Sequence, residues 1–253
     1  MNSFTLSMAL ICCGGFVALA FWRQFLFMKT AAVGFIGIGC SIGLIDALTK
    51  LLHPGPYAAS LKYLNLFSLS FQIDGLSAFV LATIYLVSLL AVVYSFHYLN
   101  DGQKALRSAA SYLFFSLLIV SMALVVTAAN LITFMLSWEI MSLSSFFLVI
   151  YDHESPENRK AGYLYFVFSH VGAMFILAAF GIFYANTGSF LLTSGSTIPD
   201  SAKLSILILA FVGFGSKAGV FPFHVLLPHA HPAAPSHISA VMSGVMIKTG
   251  IYG

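Results

Sequence analysis

The sequence predicts an all-α fold: a polytopic transmembrane helical bundle of about eight spans with a broken seventh helix. Three observations predict it. Hydrophobic residues make up 60% of the 253 and charged residues only 8%, whereas soluble domains carry about 25% charged residues. The apolar runs recur at lengths close to the roughly 20 residues that cross a hydrocarbon core of about 30 Å. One of these runs is interrupted by Gly219 and Pro222 just after a lysine, and a proline without an amide hydrogen breaks or kinks a helix.

The runs place spans near residues 4–21, 30–52, 75–98, 109–128, 130–151, 161–187 and 203–227, with an eighth beginning near Pro235. No basic segment precedes the first run and no small-residue cleavage site follows it, so it reads as a retained span. After the second, Tyr57–Ile73 alternates apolar and polar residues behind Pro54, Gly55 and Pro56, the pattern of a short external hairpin. The third opens at Asp74, suited to be a helix N-cap. Residues 152–160 are polar and read as a solvated turn. The eighth run is still apolar at Gly253, so the sequence is expected to be the N-terminal part of a longer protein. Residues 1–108 then form an N-terminal three-span region. Residues 109–253 form a five-helix unit cut short in its eighth span.

Charge excludes several functions. The formal net charge is +3, but the basic residues are scattered, without the basic patch that nucleic acid requires. Cys12, Cys13 and Cys40 form no CxxC pattern, so an iron–sulfur cluster is not expected in this chain. No phosphate-binding loop occurs. The expectation is a chain with no cofactor and no metal of its own, and no redox chemistry. Lysine and arginine bias connections: Arg23, Lys29, Lys104, Arg107, Arg159 and Lys160 follow spans one, three and five, against Lys50, Lys62 and Lys203 opposite. That bias predicts a cell-membrane protein with its N-terminus outside.

Three ionisable residues fall inside spans: Glu139, Lys217 and Lys248. Glu139 lies nine positions into its run, about 13 Å deep at a rise of ~1.5 Å per residue. An intramembrane carboxylate is costly unless paired, hydrated or protonated. It fits either a proton or ion pathway or a tie between two helices. Lys217 precedes the Gly219–Pro222 break, where unpaired backbone groups line an internal aqueous cavity in many transporters. Its bland alternative is a plain proline kink. Desolvation disfavours charge on an amine and a nearby carboxylate favours it, so a changing Glu139–Lys217 distance would load and release a proton. His170 lies inside span six, either as a relay or as an interhelical hydrogen-bond partner. His224, His229, His231 and His237 cluster around the turn into span eight, and histidine relays protons near neutral pH. The spacing of His229 and His231 suits a metal poorly. A haem between His97 and His170 is the remaining redox alternative.

The stretch Lys217–Gly253 resembles the signature of the antiporter-like membrane subunits. That family includes proton-pumping subunits of respiratory complex I, Mrp-type sodium/proton antiporter subunits and membrane subunits of energy-converting hydrogenases. Within it, Trp138–Ile150, Gly162–His170 and His229–His237 look most like hydrogenase-4 component B of the formate hydrogenlyase type. The resemblance covers residues 70–253 and the first two spans in character only. It implies that Glu139 matches the family's fifth-span glutamate, Lys217 its broken-helix lysine and Lys248 its eighth-span lysine. His224 matches a histidine also found in members. It further implies a proton-translocating role, coupled to electron transfer in partner membrane subunits and hydrophilic redox subunits, with protons or Na+ as the moving ion. An Mrp-type Na+/H+ antiporter subunit and a non-transporting membrane anchor are the alternatives. Family members carry a second, inverted repeat that this sequence lacks, so a complete path within it is not expected.

Overall fold

The computed structural model describes residues 2–53, 55, 57–63, 67–99, 104–193, 198–221 and 232–253. Its helices are α1 (Asn2–Ala20), α2 (Phe25–Leu52), α3 (Gly75–Tyr98), α4 (Ala105–Thr127), α5 (Leu131–Val149), α6 (Pro156–Thr187) and α7 (Asp200–Ala218). Then come α8 (Ser236–Val241), a π-helical turn (Met242–Met246) and α9 (Ile247–Tyr252). The seven helices α1–α7 are each long and apolar enough to cross a membrane. The chain is a multi-pass membrane bundle, as its composition predicts.

Helix starts follow local chemistry. Asp74 caps α3: its carboxylate accepts from Ser77 N at 2.7 Å while Ser77 Oγ accepts from Asp74 N at 2.7 Å. This capping box satisfies two of the donors that a helix leaves open. Those bonds hold the Asp74 carboxyl below the usual carboxylate range, the Ser77 hydroxyl contributing most. Asn130 caps α5 with a single bond, its side chain accepting from Thr133 N at 2.7 Å. At the other end, Arg107 pairs with Glu154 and lies 3.7 Å from Asp152, which holds the Glu154 carboxyl down.

The expected hairpin is present. Strand β1 (Tyr57–Tyr63) pairs antiparallel with β2 (Phe67–Ile73), from Tyr57 opposite Ile73 to Tyr63 opposite Phe67. It is also tied to the bundle. Ala129 N donates to Ser70 O at 2.9 Å, Asn130 Nδ2 to Ser68 O at 2.6 Å, and Ser70 N to Thr133 Oγ1 at 3.0 Å. On its far side the same segment bonds the α6–α7 connection, through Leu131 N to Phe190 O and Leu192 N to Ala129 O. The hairpin, the start of α5 and the α6–α7 connection therefore form one hydrogen-bonded belt at one end of the bundle.

Two expectations change. Helix α7 stops at Ala218, where Gly219 adopts a left-handed φ of 69° and Val220 N bonds back to Gly215 O at 3.0 Å. The break thus sits on the glycine, because only glycine enters that region without a Cβ penalty. Pro222, expected at the break together with Gly219, lies outside the described residues. Lys29 and Lys50, expected in connections, lie within α2 and are buried, so two charges used to orient the chain belong to its interior.

Candidate functional site

Lys217 occupies the last turn of α7 and is 2% exposed. The C-terminal carbonyls of a helix carry partial negative charge and favour a cation there. Its Nζ donates to Tyr165 OH at 2.7 Å and Ser142 Oγ at 3.3 Å, and lies 4.9 Å from the centre of the Tyr165 ring. Tyr165, 1% exposed on α6, shares a 2.6 Å hydrogen bond with Ser145 Oγ and donates to Met246 Sδ at 3.6 Å. Helices α5, α6, α7 and the π-helical turn thus meet at one buried amine, and its side-chain partners are neutral.

Glu139 and Lys217, between which a changing distance was expected to move a proton, form no ion pair in this structure. Glu139 Oε2 lies 3.5 Å from His170 Nε2, with the two side chains 34% and 27% exposed. The other His170 nitrogen faces Phe166 O at 3.0 Å, and its ring packs on Phe166 with centroids 4.0 Å apart. Both nitrogens are therefore engaged within the protein. The reason for the mismatch is rotational. Glu139 precedes Ser142 by three positions, about 4.5 Å along α5, but sits at the edge of the face that carries Ser142 and Ser145 inward. The carboxylate–imidazole pair and the amine are neighbouring sites separated by one turn of α5.

Lys248 does not join them. Its side chain is exposed on α9, with Nζ bonded to Ser243 O in the π-helical turn. The face of α9 that meets α7 belongs to Gly250, where an added Cβ would lie 3.0 Å from both Ala218 N and Phe214 O. His237 is buried at 3% exposure between the Tyr98 and Phe115 rings, away from any hydrogen-bond partner for Nδ1 among the described residues. His224, His229 and His231 lie outside the described residues.

Sequence reasoning missed Tyr165, Ser142 and Ser145. Uncharged residues in apolar helices give no signal of depth or direction, although Ser142 and Ser145 share one face by their three-residue spacing. Asp46, not among the candidates, forms an ion pair with Lys50 inside α2. An acid followed four residues later by a lysine does mark such a pair.

Residues 128–253 match the family NADH:quinone oxidoreductase/Mrp antiporter, TM, and residues 64–107 match NADH-Ubiquinone oxidoreductase (complex I), chain 5 N-terminus. Hydrogenase-4 component B of Escherichia coli (strain K12) is 41% identical over 73% of this chain and 28% of its own length. The putative antiporter subunit mnhA2 of Staphylococcus saprophyticus is 32% identical over 85% of this chain and 28% of its own. Among solved structures, a chain of the membrane-bound sulfane sulfur reductase, an archaeal respiratory membrane complex, superposes with a TM-score of 0.85. It is 30% identical, covering 99% of this chain and 40% of that one. A chain of the Mrp complex from Dietzia sp. DQ12-45-1b shares the fold, with a TM-score of 0.82 at 22% identity over 98% of this chain and 27% of that one. This chain spans less than half the length of each of these relatives.

Proposed function

Because the chain belongs to the antiporter-like family of membrane subunits, we propose that it is part of a proton-translocating subunit of an energy-converting hydrogenase complex. Similarity to hydrogenase-4 component B favours that kind of complex. Residues 109–253 act in this reading as an antiporter-like unit behind the 1–108 region. The N-terminus faces outward, and further membrane and redox subunits supply the electron transfer to which ion movement is coupled.

The observation that carries the proposal is the enclosed amine. Lys217 is solvated by Tyr165, Ser142 and the end of α7 rather than by a carboxylate. A buried group with marginal solvation changes protonation when a single partner moves. Glu139 and His170, one turn of α5 away and partly exposed, can pass a proton between carboxylate and imidazole. Charge rearrangement at Glu139 acts on Lys217 through the intervening helix turn, and the proton continues through His224 and Lys248. A sodium-coupled, Mrp-like exchange is the second reading, favoured by similarity to the mnhA2 subunits.

Inverted vesicles carrying the intact complex with its full-length subunit test both. Glu139→Gln and Lys217→Ala are expected to abolish the proton gradient while subunit content stays at the wild-type level. If both variants assemble and pump like wild type, the proton-path reading fails. Gradient formation that requires Na+ selects the exchanger.

A further inference from the structure

The turn between α5 and α6 carries a groove that the proposed proton path does not use. It holds about 380 Å³ and is lined by Phe146 and Ile150 of α5, His153 of the turn, and Arg159, Tyr163 and Phe166 of α6. Positions i, i+4 and i+7 share one face of a helix, so Arg159, Tyr163 and Phe166 stand in a row. Phe166 lies about 10 Å further along the axis than Arg159. On α5 the order is mirrored, with Ile150 next to the turn and Phe146 one turn deeper. The Phe146 and Phe166 rings meet at the apolar end of the groove, 5.1 Å between centroids. Both helices are membrane spans, so the groove begins at the water boundary and runs into the hydrocarbon.

The mouth of the groove carries positive charge that the chain does not neutralise. Arg159 donates through Nη1 to His153 O at 3.0 Å and to Glu154 O at 3.1 Å. Both acceptors are neutral carbonyls, and among the described residues no carboxylate pairs with Arg159. These bonds fix the guanidinium while its Nε and Nη2 donors stay available. Nearby acids point elsewhere. Asp152 and Glu154 face Arg107, and Glu157, two positions before Arg159, does not face it on a helix. Exposed Lys160 adds a further cation beside it. A smaller groove between α4 and α5, about 160 Å³, also has an arginine at its mouth, Arg107. There Glu154 and Asp152 already balance the guanidinium. The larger groove thus combines an unmatched cation, a tyrosine at the boundary and an apolar floor.

We propose that this groove binds an anionic phospholipid, with the phosphate on Arg159 and His153 and one acyl chain along Phe146 and Phe166. The guanidinium fork matches two phosphate oxygens at once, and the His153 imidazole donates one further bond. The Tyr163 ring, 68% exposed, has the amphipathic character that places tyrosine at headgroup level. A zwitterionic lipid offers the same phosphate but brings its own cation, which Arg159 and Lys160 repel. The site needs only that α5 and α6 cross the membrane; it does not rest on the proton path.

Photolabelling of the intact complex, with its full-length subunit, tests this. The complex is reconstituted into phosphatidylcholine vesicles containing a trace of phosphatidylglycerol or of phosphatidylcholine, each with the same diazirine-bearing acyl chain. Mass spectrometry then measures label on Phe146, Ile150, Tyr163 and Phe166 relative to the whole complex. Phosphatidylglycerol is expected to label these residues about five-fold more than phosphatidylcholine, the factor that one basic residue gives near a membrane surface. In Arg159→Gln, at wild-type subunit content, the two lipids are expected to label alike. Equal labelling in the wild type overturns the proposal without any variant. A preference that survives Arg159→Gln overturns the assigned phosphate site. An unlabelled groove in an otherwise labelled complex means that a neighbouring protein covers it, which also overturns the proposal.

Discussion

Lys217 keeps its amine among neutral oxygens, and removing different members of that group has different consequences. Tyr165→Phe takes away the 2.7 Å acceptor and leaves the 3.3 Å contact to Ser142. A buried donor deprived of its partner costs about 1–3 kcal/mol. Lys217→Met instead removes the demanding group while Tyr165 keeps Ser145 and Met246 as partners, and replacing a buried ionisable group by an apolar one of similar volume is often neutral. Thermal unfolding of the purified complex is therefore expected to show Tyr165→Phe as the more destabilised single variant. In the Lys217→Met background the Tyr165→Phe cost should shrink to below about 1 kcal/mol, the non-additivity of residues in direct contact. Equal costs in both backgrounds would mean that Tyr165 stabilises by packing alone. Little of this pairing was legible in the sequence. Lys217 and Glu139 announced themselves as charges in apolar runs, but the tyrosine and serines between them carry no such mark. Which groups pair depends on helix rotation, which an almost uniformly apolar span does not encode.

Helices, by contrast, were legible wherever hydrophobic length and capping chemistry agreed. Asp74 was readable as a cap because it stands between an alternating segment and a long apolar run, and the capping box with Ser77 bears this out. Asp74→Ala should destabilise the start of α3 by about 1 kcal/mol. The pH dependence follows from the lowered carboxyl. A group whose native value is depressed contributes fully above its unfolded value, near 3.9, and loses that contribution as pH falls through the lower native one. Acid titration of stability should thus show wild type and Asp74→Ala converging below about pH 4. A gap that persists at low pH would assign the effect to something other than the ionised cap. The end of α7 was less legible. Proline is the stronger breaker in isolation, yet Gly219 reaches a left-handed φ first. The belt joining the hairpin to α5 and to Phe190 was invisible, because backbone bonds between distant segments leave no periodic trace.

The bundle as a whole couples its packing to the buried amine. Glycine and serine line the α6–α7 seam: an added Cβ at Gly172 would meet Ser216 Oγ and lie 3.1 Å from Gly213 O, and one at Gly213 would lie 2.8 Å from Gly172 O. Small residues that let backbones approach this closely are what hold membrane helices together, since lipid supplies no hydrophobic drive between them. Ser216 is the residue before Lys217, and Gly172 lies seven residues, about two turns, after Tyr165 on α6. Separating α6 from α7 at this seam therefore draws Lys217 away from Tyr165, whose 2.7 Å bond has little slack. Gly172→Val is expected to cost about 1–3 kcal/mol by overpacking, and to lose proton pumping in vesicles to the same extent as Lys217→Ala. Gly181 lies on the same helix, where an added Cβ meets nothing. Gly181→Ala should pump normally and gain about 0.5–1 kcal/mol from the lost chain entropy of glycine. The two variants alter one helix at two heights, so the comparison isolates the seam from the helix itself. If Gly172→Val is destabilised yet pumps normally, the α6–α7 spacing stabilises the bundle without governing the amine. If both fall together, the distance between two helices sets the protonation chemistry at Lys217.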